Sequence, residues 1–351
     1  MTRIPEPSNN SFSSSNVHQT GAKPNDIYGQ DPILTVAFLV DGKHVVSGSE
    51  QGKIRRWRIE DGREVGAPMD AGSAVHNIAV SREGKWVVSG TTRGLVAVWD
   101  AESGEKKTEF QGHTDFVRAI DVSPDATKIA SGSADKTACV WSLSTGERLL
   151  NPFKYDDWVV VVKFSPDGRL IVTATWGRDS VRVYDSQNGR LLVEFPVQVY
   201  SAINQSLAWA SDSEQLFALS RDGNIHSLGV STGTTLSQWP TNSSKDTQCR
   251  VALASNGAFI ATSTFSSVSF WDTTTHIKID SAIHHTAGIS SMAISSNHDL
   301  MIAGGDKITV RNLRDVLPSR YCDDVSACVS NVHCVIWPPN VKLILTATAD
   351  P

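Results

Sequence analysis

One short pattern recurs along this chain at nearly constant spacing, and that regularity restricts the fold to architectures that stack one unit many times. Four copies read VAFLVDGKHVVSGSEQGKIRRWR, IAVSREGKWVVSGTTRGLVAVWD, IDVSPDATKIASGSADKTACVWS and VKFSPDGRLIVTATWGRDSVRVYD. Three more divergent copies follow: LAWASDSEQLFALSRDGNIHSLG, VALASNGAFIATSTFSSVSFWD and MAISSNHDLMIAGGDKITVRN. The bulky position near the end of each copy holds Trp57, Trp99, Trp141, Tyr184, Leu228, Trp271 and Arg311, at separations of 42, 42, 43, 44, 43 and 40 residues. Every copy reads as strands. VAF, IDV and VKF are short, with β-branched and aromatic residues, and turn formers follow them: Ser123, Pro124 and Asp125, or Ser165, Pro166, Asp167 and Gly168. HVVSGS, WVVSGT, KIASGS and LIVTAT then alternate bulk with small residues, as a sheet packed on both faces requires. A polar turn of the DGRE or STGE type leads to a fourth, less regular strand such as RLLNPF or RLLVEF.

The dipeptides Trp99-Asp100 and Trp271-Asp272, the Tyr184-Asp185 variant, the Ser-Pro-Asp turns and Gly112-His113 resemble the WD40 repeats of the β-propeller family, from about Thr35 to the C-terminus. The resemblance implies an all-β propeller of seven complete four-stranded blades plus a half-complete eighth repeat, in a ring of seven or eight blades. Its units fall at about 35–75, 76–116, 117–158, 159–200, 205–245, 249–287, 289–330 and, in part, 332–351, within a propeller region spanning 27–351. Blades stack because a four-stranded sheet cannot bury both apolar faces alone, and a closed ring leaves few free edges. In the third copy His113, Ser131, Asp135 and Trp141 match the family's loop His, strand hydroxyl, turn Asp and strand Trp, which implies a structural hydrogen-bond chain. No GxSxG elbow surrounds Ser131, so the set does not read as a hydrolase triad. Asp179, Asp222, Asp306 and His285 stand near equivalent positions in other copies without their full complement of partners.

The two ends depart from the pattern. Residues 1–26 are rich in Ser and Asn and poor in bulky apolar side chains, which predicts disorder. VHCVIWPPNVKLILTATADP repeats only the first two strands of a unit, with Ile336-Trp337 and Leu345 to Thr348 in their places. Three closures are compatible with this: seven blades and an extra hairpin, eight blades with one finished by the N-terminal segment, or a truncated chain. Arg56 stands where other copies carry Val98, Val140, Val183 and Phe270. It suits either an incompletely covered seam or a side chain that snorkels past its neighbour.

Composition narrows the function classes. The 32 Lys and Arg against 37 Asp and Glu leave a net charge of −5, which removes the whole-molecule basic field of non-specific nucleic-acid binders. No apolar run is long enough to span a membrane, and MTRIPEPSNN lacks the apolar core of a secretory signal, so a cytoplasmic, or also nuclear, location is expected. Five cysteines without a CxxC pair then count as thiols. Cys322, Cys328, His333 and Cys334 lack the spacing of common zinc sites, and the Asn9, Asn204 and Asn242 sequons are expected to stay unmodified. No metal and no cofactor are expected. GSEQGKI lacks the gap and the Ser or Thr of a phosphate loop.

The remaining reading is a non-enzymatic scaffold that presents loops to a protein or peptide partner. Phe116 and Trp158 share one repeat position, at the loop entering the innermost strand, where partners of such propellers dock. Arg118, Trp176, Arg178, Tyr200 and Arg221 fall on neighbouring loop or strand-end positions. Aromatics and arginines there suit binding hot spots, although Trp158 and Trp176 could instead cap their blades. Two alternatives stand beside this reading. Lys53, Arg55, Arg56, Arg58 and Arg63 form a basic cluster in the first unit that could meet a phosphopeptide or phosphoinositide, and a channel enzyme would need convergent carboxylates or a metal set.

Overall fold

The computed structural model describes residues 26–28, 31–177, 181–199, 206–241, 250–253, 257–264, 267–285, 289–294, 299–304, 307–321 and 345–347. Six antiparallel sheets of four strands follow one another along it, at 33–70, 75–111, 117–154, 159–195, 207–240 and 250–284, here called blades 1 to 6. Within each blade the order of strands in space is their order in sequence. The first strands Ile33–Phe38, Val75–Val80, Val117–Val122 and Val159–Phe164 lie side by side in that order. Leu207–Trp209, Arg250–Leu253 and Ile289–Ile294 do the same, and the last of these lies against Ile33–Phe38, closing a ring. The architecture is an all-β propeller.

The small residues of the SGS-type strands have a steric cause. A Cβ built on Gly48, Gly90 or Gly132 would lie 2.6, 2.5 and 2.6 Å from Cγ1 of Val75, Val117 and Val159, the first residue of the next blade's inner strand. Only glycine lets the blades approach this closely, and the same contact recurs every 42 residues. The recurrent tryptophans are explained in the same way. Trp57, Trp99, Trp141 and Trp271 are buried on the third strands, and each indole N–H donates to a hydroxyl one strand inward: Ser47 at 2.8 Å, Ser89 at 2.9 Å, Ser131 at 2.7 Å and Thr262 at 2.9 Å. A donor buried with its ring must find an acceptor, so ring and hydroxyl recur as a pair.

A further sheet completes the described elements. Ile289–Ile294, Asp299–Gly304 and Lys307–Asn312 are its consecutive strands, Asp26–Tyr28 pairs on Lys307–Asn312, and Leu345–Ala347 pairs on Ile289–Ile294. Among the described residues the seventh repeat unit supplies three strands, where its sequence led us to expect four. After Asn312 the chain forms two short 3-10 helices, Leu313–Asp315 and Ser319–Tyr321. Pro318 lacks the N–H that a strand there would need, and Leu313, Leu317 and Tyr321 are buried against Phe259, Phe270, Ile279 and Ile283 of blade 6. Asp26, read as the last residue of a disordered segment, lies in a strand, and residues 1–25 lie outside the described residues.

Arg56 does not mark an open seam. Its guanidinium reaches into blade 2 and donates from one terminal nitrogen to the carbonyls of Ala101 and Glu102, each at 2.7 Å. An apolar residue at this position would leave those contacts unmade, so the charge binds blade 1 to blade 2.

Candidate functional site

Blade 3 brings His113, Ser131, Asp135 and Trp141 together in one line. The Trp141 indole donates to Ser131 Oγ, the Ser131 hydroxyl lies 2.7 Å from His113 Nε2, and His113 Nδ1 lies 2.9 Å from Asp135 Oδ2. Asp135 also accepts from the backbone N–H of Thr114 and Thr137, each at 3.0 Å, and from the Thr137 hydroxyl at 2.7 Å. These donors, with His113 first among them, outweigh the burial that opposes ionisation and hold the Asp135 carboxyl well below the usual carboxylate range. The His113 and Ser131 side chains are sealed from solvent, which leaves a substrate no route to the serine. Blade 4 carries a variant that the motif search missed. Tyr155, 42 residues after His113, places its hydroxyl 2.7 Å from Thr173 Oγ1 and 3.1 Å from the Tyr184 hydroxyl. His285 forms a shorter link, with Nε2 3.3 Å from Thr309 Oγ1.

The mouth of the ring is shaped by a bulge. The inner strands of blades 1 to 4 each carry one extra residue in their pairing: Leu34 between Ile33 and Thr35, His76 between Val75 and Asn77, Arg118 between Val117 and Ala119, and Val160 between Val159 and Val161. A bulge frees its extra residue from the ladder and re-aims the side chain. Arg118 is consequently laid over the Trp158 ring, with its guanidinium carbon 4.4 Å from that centroid and 5.9 Å from the Trp176 centroid. The two indoles meet edge to face at 5.6 Å, and the Trp176 backbone N–H donates to the Trp158 carbonyl at 2.9 Å, which ties the two loops of blade 4 together. Phe116 is exposed and stacks on His76 of blade 2 at 5.9 Å. Trp176 is likewise exposed, whereas Trp158 is half-buried and packs on the apolar core shared by blades 4 and 5. Trp158 thus packs on its blade, the alternative that the sequence left open beside docking.

Arg118 is held without a close acceptor. Its Nε is buried without a hydrogen-bond partner, and no ion pair is formed by Arg118 among the described residues. Burial pulls the Arg118 guanidinium below its ordinary value, with Asp115 opposing. Burial, and secondarily the Arg118 charge, holds His76 below the ordinary histidine range, and its Nδ1 has no partner. His76 was missed by sequence reasoning, although it stands 42 residues before Arg118.

Arg221 is exposed on blade 5 and lines a cleft of about 440 Å³ with Pro196, Val197, Gln198, Ser220, Asp222 and His226; its backbone N–H donates to the Gln198 carbonyl as that of Trp176 does to Trp158. Arg178 and Tyr200 lie outside the described residues, as do Asp179, Asp306, Cys322, Cys328, His333, Cys334 and the three sequon asparagines. The basic cluster of blade 1 is not a free cationic surface. Lys53 pairs with Asp70 at 2.7 Å, Arg55 with Asp31 at 3.2 Å and Glu64 at 3.0 Å, Arg58 with Asp61 at 3.0 Å, and Arg63 with Asp61 at 3.8 Å. Pairing of this kind reduces the attraction that the cluster offers a phosphate group. Among the described residues no group of three or more His, Cys, Asp or Glu is placed to hold a metal ion, and no helix is long and apolar enough to cross a membrane.

The WD domain, G-beta repeat family matches four stretches, residues 23–58, 104–142, 149–185 and 278–310. No curated protein matches the chain. The second matched stretch begins in the outer strand of blade 2, Lys106–Gln111, and ends on the third strand of blade 3, so the sequence repeat is offset from the blade by one strand. The first begins beside Asp26–Tyr28, the strand that pairs with the sheet of the last repeat unit. Together with the tryptophan–hydroxyl pairs and the ring of meandering sheets, these matches identify the chain as a β-propeller of WD40 repeats.

Proposed function

We propose that this propeller is a non-enzymatic protein-binding scaffold whose docking surface is the mouth formed by Phe116, Arg118, Trp158 and Trp176, with His76 beside them. One observation carries the reading: an arginine without an ion-pair partner among the described residues lies over two indoles at loop ends, and the outer indole is exposed to solvent. Aromatic and arginine side chains at a rigid, partly desolvated mouth are the groups that dominate binding energy at protein interfaces. The fold holds them without needing their exposed surfaces, since the blade cores are filled by other residues. The test is comparative affinity capture with the full chain and with the double variant Phe116→Ala/Trp176→Ala. Proteins recovered by the parent chain and lost by a variant of equal melting temperature support the mouth as the docking surface. Identical recoveries would refute it.

We further propose that the ring has seven blades, the last being the sheet of Ile289–Ile294, Asp299–Gly304 and Lys307–Asn312 finished by Asp26–Tyr28. The pairing of Asp26–Tyr28 on Lys307–Asn312 and the contact of Ile289–Ile294 with Ile33–Phe38 support this count. A chain starting at Asp31 would lose the closing strand, and its melting temperature is expected to fall. An unchanged melting temperature would argue against closure by this segment.

A further inference from the structure

The docking reading leaves open what kind of partner the mouth selects, and the chemistry around Arg118 answers more narrowly than the aromatics do. Three facts converge there. The guanidinium carbon lies 4.4 Å from the Trp158 centroid and 5.9 Å from that of Trp176, Nε is buried without an acceptor, and no carboxylate pairs with the group among the described residues, so its donors are left for a ligand to meet. The forked donor edge of a guanidinium is matched by a planar carboxylate, which accepts two parallel N–H bonds in the plane of the guanidinium.

The second fact concerns the number of charges. The same loops carry the carboxylates Asp115, Asp156 and Asp157, and the other nearby cation, Lys136, has its ammonium on the Asp156 carbonyl at 2.9 Å. Asp157 Oδ1 accepts the Trp158 backbone N–H at 2.7 Å, and Asp115 accepts that of Phe116 at 2.7 Å, so these acids are held in the loops and do not leave. Two cations against three carboxylates leave the mouth net negative, so a single carboxylate on Arg118 meets less repulsion than a phosphate dianion would. The third fact is the flanking surface. Phe116, on its His76 stack, and Trp176 are both exposed large apolar groups beside this arginine.

We infer that the mouth recognises an acidic peptide segment in which one Asp or Glu carboxylate seats on the Arg118 guanidinium and large apolar side chains on either side of it cover Phe116 and Trp176. This rests on the docking surface proposed above and narrows it to one partner chemistry. Arg118 acts as the specificity-determining residue, and the two indoles pack against its guanidinium.

The experiment is selection of a random peptide library on the full chain, followed by affinity measurements with synthetic copies of the enriched peptides. The expected result is enrichment of sequences with an Asp or Glu between large apolar residues. Replacing that acid by its amide, or making Arg118→Gln in the protein, should weaken binding at least about tenfold. Arg118→Lys keeps the charge and the fold but lacks the fork, and it should lose most of the same affinity; it is the decisive variant if Arg118→Gln proves unstable. Peptides that bind equally well as amides, or equally to Arg118→Gln and Arg118→Lys, overturn the inference. So does a phosphoserine in place of the acid that binds more tightly, since the partner would then be a phosphorylated segment. Peptides lost on Phe116→Ala/Trp176→Ala but insensitive to their acid would leave the docking surface standing and remove only its acidic selectivity. Failure to enrich any sequence, or peptides indifferent to all these variants, would remove both.

Discussion

Replacing Asp135 by alanine removes the acceptor on which one end of the blade 3 hydrogen-bond chain rests. Four donors point at that carboxylate: His113 Nδ1, the Thr114 and Thr137 N–H groups and the Thr137 hydroxyl. Thr114 is exposed and its N–H can be taken up by water, while the His113 side chain is fully buried. The Thr137 hydroxyl, 3.2 Å from His113 Nδ1, compensates only in part. With a buried group left unpaired costing about 1–3 kcal/mol, one fully and one partly stranded donor sum to about 2–4 kcal/mol. An unfolding entropy of about 2.1 cal/mol/K per residue makes each kcal/mol worth about 1.4 °C for a cooperative unit of this length. Asp135→Ala should therefore lower the melting temperature by about 3–6 °C, read by calorimetry or by circular dichroism at pH 7. The effect has a pH signature. The carboxyl titrates lower in the folded chain than in the unfolded one, so between those two values the unfolded chain binds more protons and stability rises with pH. The contribution is complete above about pH 4 and is lost as acid protonates the folded carboxyl, so parent and variant should converge on acidification. A variant melting within about 1 °C of the parent at pH 7, or a gap that widens in acid, would refute the reasoning.

Further perturbations test other parts of the account. Gly94→Ala places a Cβ 2.2 Å from the His113 carbonyl oxygen at a backbone φ of +79°, and should cost at least about 2 kcal/mol in chemical denaturation. Arg56→Ala strands the Ala101 and Glu102 carbonyls between blades 1 and 2, and should cost about 1–3 kcal/mol; no loss would mean that the arginine does not tie the blades. His76 is held neutral by burial, so the folded chain takes up its proton less readily than the unfolded one and stability falls as pH drops below about 6.5. His76→Gln should accordingly lose less melting temperature than the parent between pH 7 and pH 5. Trp158→Ala should destabilise by about 3 kcal/mol, whereas Phe116→Ala and Trp176→Ala should each stay within about 1 kcal/mol, a contrast readable in one denaturation series.

The ring was legible in the sequence because its cause is local and repeated. A buried indole needs a hydroxyl one strand inward and a glycine must admit the next blade's valine, so both leave marks every 42 residues. Features that depend on pairing were not legible. Arg118 and His76 owe their direction to a bulge, and an extra residue in a strand is visible only once its partner strand is known. Tyr155 replaces a histidine with a chemically different group that serves the same neighbouring hydroxyl, so a search for the motif passes over it. The outer strand on Lys307–Asn312 comes from the far end of the chain, and no local pattern in Asp26–Tyr28 announces that partner. The ion pairs of the basic cluster were hidden for a related reason: its cations are close together in sequence, whereas Asp31 and Asp70 are brought to them by the fold.

The central claim, that partners dock at the mouth, is tested most directly by hydroxyl-radical footprinting of the full chain with and without a captured partner. Side-chain oxidation is read by mass spectrometry at Phe116, Trp158 and Trp176, and at the exposed outer-rim residues Leu149, Leu191, Leu192, Leu236 and Ile277. Protection of Phe116 and Trp176, with the rim leucines and Ile277 unchanged, is the predicted result. Protection of the rim with Phe116 and Trp176 as reactive as in the free chain would contradict it.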